Sequence, residues 1–232
     1  GTLTLTGGIT PSATTSPTLT LTGTGNGTLS TAAYSAPATS GTSALTKSGN
    51  GTWTLSFANT YNGSTTISAG TLVVTANNAL GTTAGSTTVA SGAILDVQNI
   101  NYSTTEGLTV DGGTIKTSTG TSTFAGAISL GANSTVDVGG TQLTLSGIIS
   151  GTGSLTKDTD SSSTLTLSNA SNSSSVKNIL CDSLSEYQLN PISNNILSKV
   201  KSVILKGRFS TICSSFFPNF NISKPSGKLS IG

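Results

Sequence analysis

Histidine and methionine are absent from the 232 residues. Charge is scarce as well: ten Lys and Arg with eight Asp and Glu make up 8% of the chain, where about 25% is usual for globular proteins. Without histidine, Ser-His and Cys-His catalytic pairs are excluded. Cys181 and Cys213 are the only cysteines. They stand too far apart for a metal knuckle, which leaves a disulfide or two free thiols. No cofactor or metal site is expected. No apolar run approaches the ~18 residues that a membrane helix requires, and no signal peptide is visible at the N-terminus. No dense basic stripe is present, so nucleic acid is not an expected partner. The chain opens at Gly1 inside an alternating pattern and reads as a piece of something longer.

What fills the chain instead is Thr, Ser and Gly, threaded with regular Leu, Ile and Val. Thr2-Leu3-Thr4-Leu5-Thr6 and Thr18-Leu19-Thr20-Leu21-Thr22 alternate with period two, which sends leucines to one face of a strand and threonines to the other. Gly7-Gly8 and Gly23–Gly27 follow as turns. The same grammar predicts strands at Trp53–Phe57, Leu72–Val74, Thr87–Val89, Ile94–Val97, Leu108–Val110, Thr114–Lys116, Ala127–Leu130, Thr135–Val138 and Gln142–Leu145. Turns are expected at Gly107, Gly112-Gly113, Gly131, Gly139-Gly140, Gly147 and Gly151. No helix is expected before residue 175.

Many short strands fit a sandwich, a barrel or a solenoid, and internal repetition decides between them. Leu45-Thr46-Lys47 returns as Leu155-Thr156-Lys157, each followed by a matching strand, Thr52–Ser56 and Thr164–Ser168. A Gly-x-x-hydrophobic pattern starts at Gly70, Gly92, Gly113 and Gly131, roughly 20 residues apart, a workable β-helix rung. Stacked rungs explain the composition. Inward positions form aliphatic ladders, outward Thr and Ser satisfy solvent and strand alike, and each rung contacts only its neighbours.

The stretch from Leu45 through Lys47, Trp53-Thr54-Leu55, Asn59, Tyr61 and Gly63 to Gly70-Thr71-Leu72-Val73-Val74 resembles the passenger-associated transport repeat of bacterial autotransporters. That family reads as Lys, a Gly-rich turn, a Thr-Leu-Thr-Leu strand, Asn-x-Tyr-x-Gly, then Gly-Thr-Leu-x-Val. A second copy runs over 149–172 and departs at Ser171–Ser175, where Asn-x-Tyr-x-Gly should stand. The resemblance implies an all-β fold, a right-handed parallel β-helix. It also implies display on, or release from, a bacterial surface through a translocator barrel that lies outside this chain. Host or neighbour-cell surfaces or matrix are the implied partners.

After residue 175 the composition breaks. Residues 1–175 hold 42 Thr and residues 176–232 hold one, Thr211; glycine falls from 25 to three. Net charge turns from −3 (three Lys, six acids) to +5 (seven bases, two acids). Ile192, Ile196, Leu197, Val200, Val203 and Ile204 recur at helical spacing behind Pro191. The expected division is therefore a solenoid over 1–175 and a divergent, partly helical tail over 176–232. The tail is either a cap or the product of a frameshift, and the frameshift is favoured.

No catalytic, cofactor-binding or metal residue is assigned. Asp96, Asp111 and Asp137 fall on different rungs, and the only Arg, Arg208, lies in the tail. An Asp96–Asp111 pair on adjacent rungs would suit a carbohydrate-active β-helix enzyme, but solvated strand-end carboxylates are the simpler reading. Asp111-Gly112-Gly113 and Asp137–Gly140 lack the second Asp of a calcium-binding β-roll. Trp53, Phe57 and Tyr61 are expected in core and corner packing. The Thr-x-Thr arrays, which on a flat solenoid face would suit ice, are too unevenly spaced along the chain to align. The expectation is a structural, non-enzymatic surface or secreted segment.

Overall fold

The computed structural model describes residues 1–12, 15–30, 34–37, 40–158 and 163–169, together with the backbone of Ile179–Cys181. The chain winds into a parallel β-solenoid of about seven coils. Its strands fall into a nine-stranded, a seven-stranded and a four-stranded wall. Within each wall every strand pairs in parallel with the strands of the coils before and after it. No helix occurs among the described residues.

The nine-stranded wall starts at Thr2–Leu5 and continues through Asn26–Leu29, Thr52–Leu55, Thr71–Val74, Ile94–Val97, Thr114–Thr117, Ser134–Val138 and Leu155–Lys157 to Ile179–Cys181. Its last strand lies beyond residue 175, so the parallel winding reaches past the expected boundary. The rest of the tail, with its expected helix, lies outside the described residues. The seven-stranded wall holds Thr18–Leu21, Ala44–Lys47, Thr65–Ile67, Ser86–Ala90, Gly107–Asp111, Ile128–Ala132 and Ile149–Gly151. The third wall holds Asn101–Tyr102, Thr121–Phe124, Gln142–Leu145 and Thr164–Leu167. In the earlier coils the third wall is reduced to single bridges, Ile9 to Tyr34 and Ser35 to Thr60.

Strand alternation fills the interior. On the nine-stranded wall Leu3, Gly27, Trp53, Leu72, Leu95, Ile115 and Val136 stack in register, beside Leu5, Leu29, Leu55, Val74 and Val97. On the third wall Tyr102, Phe124, Leu145 and Leu167 do the same. With strands about 4.8 Å apart, each inward side chain rests on its equivalents above and below. This stacking makes one continuous apolar column, in which each coil packs on the coils beside it.

Three expected turns belong to strands: Gly107 opens Gly107–Asp111, Gly131 lies within Ile128–Ala132 and Gly151 ends Ile149–Gly151. Asn26 and Gly27 likewise sit in a strand and not in the Gly23–Gly27 turn. Gly27 and Gly107 have parallel partners in the neighbouring coil, where the ladder overrides the local turn preference of Gly, and Gly131 is the extra residue of a bulge between the paired Leu130 and Ala132.

Candidate functional site

The stretch 45–74 forms a coil whose motif residues hold it to its neighbours. Lys47 ends Ala44–Lys47 and points inward, fully buried. Its ammonium donates to the carbonyls of Gly49 at 2.8 Å, Ala69 at 2.9 Å and Ser48 at 3.4 Å. Three donors thus meet three acceptors, without a carboxylate, and burial lowers the lysine pKa. One of these carbonyls, Ala69, belongs to the next pass of the chain, so the ammonium joins two corners. Gly70 lets the corner close. Its φ is +65°, and a Cβ there would stand 2.5 Å from the Gly49 oxygen and 2.7 Å from the Lys47 nitrogen.

Asn59 ties three coils together. Its Oδ1 accepts from the Tyr34 amide at 2.7 Å, and its Nδ2 donates to the Ala79 carbonyl at 2.6 Å. Two residues on, Tyr61 is fully buried, with its ring 5.2 Å from that of Tyr34 and its hydroxyl 2.5 Å from Thr65 Oγ1. Gly63 turns the chain so close to the previous coil that a Cβ would lie 2.6 Å from the Ser43 oxygen. Trp53 and Tyr61 are buried, as expected. Phe57, expected with them, is 48% exposed at an outer corner, because the chain turns outward between Leu55 and Asn59.

The second copy sits elsewhere on the circumference. Ala44–Lys47 lies in the seven-stranded wall, but Leu155–Lys157 lies in the nine-stranded wall. The strand after each lysine shifts likewise, Thr52–Leu55 in the nine-stranded wall and Thr164–Leu167 in the third. The local chemistry travels with the motif. Lys157 is also buried, and its nitrogen donates to the Asp158 carbonyl at 3.1 Å. The shared sequence thus encodes a corner between two walls, not a fixed place in the coil.

A second polar group lies inside the solenoid. Glu106 is 1% exposed. Its Oε1 accepts from Thr87 Oγ1 at 2.6 Å, and its Oε2 lies 3.5 Å from the Tyr102 hydroxyl, which itself accepts from the Leu80 amide at 3.0 Å. Burial raises the carboxyl to about 7, against the lowering effect of the two hydroxyls. Thr65 and Thr87 occupy inward positions of the seven-stranded wall because their hydroxyls partner Tyr61 and Glu106. An acid in a Thr-rich sequence reads as solvated, so nothing singled out Glu106. The available signal was spacing, since Tyr102 precedes Glu106 by four residues as Tyr61 precedes Thr65.

Asp96 and Asp111 do not meet: Asp96, expected to be solvated, is buried on the nine-stranded wall, and Asp111 is exposed on the seven-stranded. Asp96 aligns instead with Lys116 and Asp137 on successive strands. Its carboxylate is saturated by the Ser118 amide and hydroxyl and by Gln98 Nε2. Lys116 is paired with Asp137, whose contact raises the lysine pKa. Among the described residues, no group of three or more His, Cys, Asp and Glu is arranged to hold a metal. No helix there is long and apolar enough to cross a membrane.

The alternating threonine stretches fall on different walls, Thr2–Leu5 on the nine-stranded, Thr18–Leu21 on the seven-stranded and Thr164–Leu167 on the third, but single threonines of successive coils align. Thr20, Thr46, Thr66, Thr88 and Thr109 form one outward file on the seven-stranded wall, extended by Ser129 and Ser150. The five threonines are 26, 20, 22 and 21 positions apart in the chain. The corners absorb this variation, so uneven sequence spacing leaves the wall in register. Thr117 is buried and bonds the Val97 carbonyl and Ser122.

These features define a parallel β-solenoid stapled from coil to coil by a recurring corner. The corner has a counterpart among known families: residues 45–74 match the model of the passenger-associated-transport-repeat. No curated protein and no solved structure matches the chain.

Proposed function

We propose that this chain is a structural, non-enzymatic passenger segment, exported to a bacterial surface or released from it. There it extends a rigid, nearly uncharged rod that makes adhesin-type contact with host, neighbour-cell or matrix surfaces. The observation that carries the reading is the coil 45–74. It matches the transport repeat, and its Lys47, Asn59 and Tyr61 each bond or stack on an adjacent coil. Such a coil adds onto a preceding one without waiting for distant chain, which suits folding as the chain emerges. The acids support the non-enzymatic part. Asp96 is saturated, Lys116 is held protonated, and Asp111 stands on another wall.

The test is display. The chain is fused ahead of an outer-membrane translocator barrel, and surface exposure is followed by protease accessibility on intact cells. Folded, surface-exposed chain is expected. Retention in the periplasm of a chain that folds in solution would sink the export reading, and turnover of pectin or another acidic glycan would sink the non-enzymatic one.

A second reading rests on the Thr20–Thr109 file. An aligned hydroxyl file on a flat wall is a geometry suited to an ordered water lattice, and an ice-recrystallisation assay measures it directly. Substituting Thr66 and Thr88 by Lys abolishes any such activity if the file carries it.

A further inference from the structure

The corner that carries Glu106 differs from those after it. Six positions separate the inward residues Tyr102 and Leu108, against four from Phe124 to Ile128 and from Leu145 to Ile149. The two added residues swing the chain wide, and where the later coils have Gly126 and Gly147 this coil has an acid. Those glycines admit no side chain: a Cβ on Gly126 would stand 1.8 Å from the Glu106 carbonyl oxygen, and one on Gly147 1.9 Å from that of Gly126. The widened corner is fastened on both sides. Outside, Asn77 of the previous coil accepts from the amides of Ser103 at 3.0 Å and Thr104 at 3.3 Å and donates to the Ser103 hydroxyl. Inside, Glu106 holds Thr87 and faces Tyr102.

The inner fastening holds a carboxyl with no cation beside it. The titratable groups that interact with Glu106 are Tyr102 of its own coil and Tyr61 from a coil further back, both neutral hydroxyls at ordinary pH. Lys47, the inward lysine of the seven-stranded wall, is occupied by its three carbonyls. An unpaired carboxylate in this column is strongly disfavoured, while a carboxylic acid bonded to two hydroxyls is accommodated.

We propose that residues 103–106 form a pH-governed joint in the solenoid, clamped while Glu106 carries its proton and worked loose when that proton passes to solvent. Loosening means that the corner swings out, Glu106 reaches water, and the amides of Ser103 and Thr104 leave Asn77. The joint lies where single bridges give way to a sheeted third wall, so its opening softens the rod at one defined coil.

The chain contains two glutamates, Glu106 and Glu186, so labelling the full chain with carboxyl-13C glutamate yields two resonances to titrate by NMR. One is expected to titrate near neutrality and to vanish in Glu106→Gln, which assigns it to Glu106. In the same chain, hydrogen-exchange protection of the Ser103 and Thr104 amides, corrected for intrinsic rate, is expected to fall with pH. The fall is about tenfold per unit between about pH 5 and 7, as linkage to one ionisation requires, then levels off. Glu106→Gln shows no such fall. Thr87→Val, which removes a donor to the carboxylate, moves the neutral titration further up. Two resonances in the ordinary range would overturn the proposal, as would an equal loss of protection in wild type and Glu106→Gln.

Discussion

The Trp53 ring occupies the space that a side chain on Gly27 would fill. The two residues are partners in adjacent strands of the nine-stranded wall, and a Cβ built on Gly27 would stand 2.6 Å from the ring carbons Cε3 and Cζ3. One coil therefore lends its interior volume to the next. Gly27→Ala is expected to cost about 1–3 kcal/mol through overpacking. Trp53→Leu should remove most of that cost, so the double variant is more stable than the two single losses predict. Urea unfolding of the four-member cycle measures the coupling, and additive losses would refute it.

Lys47 is expected to behave as a structural cation. Lys47→Met keeps much of the buried stem but leaves the Gly49 and Ala69 carbonyls without their donor. An unmet buried polar group costs about 1–3 kcal/mol. The loss should appear as a lower denaturation midpoint with little change in slope. A variant as stable as wild type would mean that the corner closes without the ammonium.

Asn59 needs both ends of its amide. Asn59→Asp preserves the acceptor for the Tyr34 amide but replaces the donor to Ala79 by a second acceptor, placing a carboxylate oxygen against a carbonyl in a buried site. It is expected to be at least as damaging as Asn59→Ala, by about 1–3 kcal/mol from the unsatisfied groups. Part of the Asp cost should be relieved at low pH, where the acid regains a donor. Thermal unfolding of both variants at acid and neutral pH tests the order.

Global stability should carry the signature of Glu106. Its carboxyl titrates at about 7 in the fold and at an ordinary carboxyl value, about 4.3, in the unfolded chain. Between these values the unfolded chain has released a proton that the folded chain keeps. Stability therefore falls as pH rises from about 4.3 to about 7 and is level above that, by about 4 kcal/mol in all. Glu106→Gln should flatten this limb. A matched series of denaturant titrations at several pH values checks the sign as well as the size.

The sequence made strand positions legible where alternation pairs Leu, Ile or Val with Thr. Ile94–Val97 and Gln142–Leu145 stand where the pattern places them. The walls were harder to read. Thr121–Phe124 carries an inward Ser122, whose hydroxyl bonds Thr117 and the Val97 carbonyl, so polarity hides its inner face. Asn101–Tyr102 is only two residues long and leaves no period to detect. Register could not be read because corner lengths vary from coil to coil, and the alignment of Thr20 with Thr109 exists only after winding. Of the repeat, the residue types were visible in 45–74. What they do was not, since Ala69, which accepts from Lys47, and Tyr34 and Ala79, which Asn59 joins, lie in other coils.

The displacement of the second lysine corner by one wall separates two lengths that solenoids usually share, the period of the text and the period of the winding. A segment duplicated within such a chain need not span whole turns of the screw to fit. It needs only to begin and end at a bend, because the bends after both walls turn the next residue's carbonyl toward the inward ammonium. Rods built this way can grow by fractions of a revolution, and a copied segment then brings its outward side chains to a different compass bearing from the original.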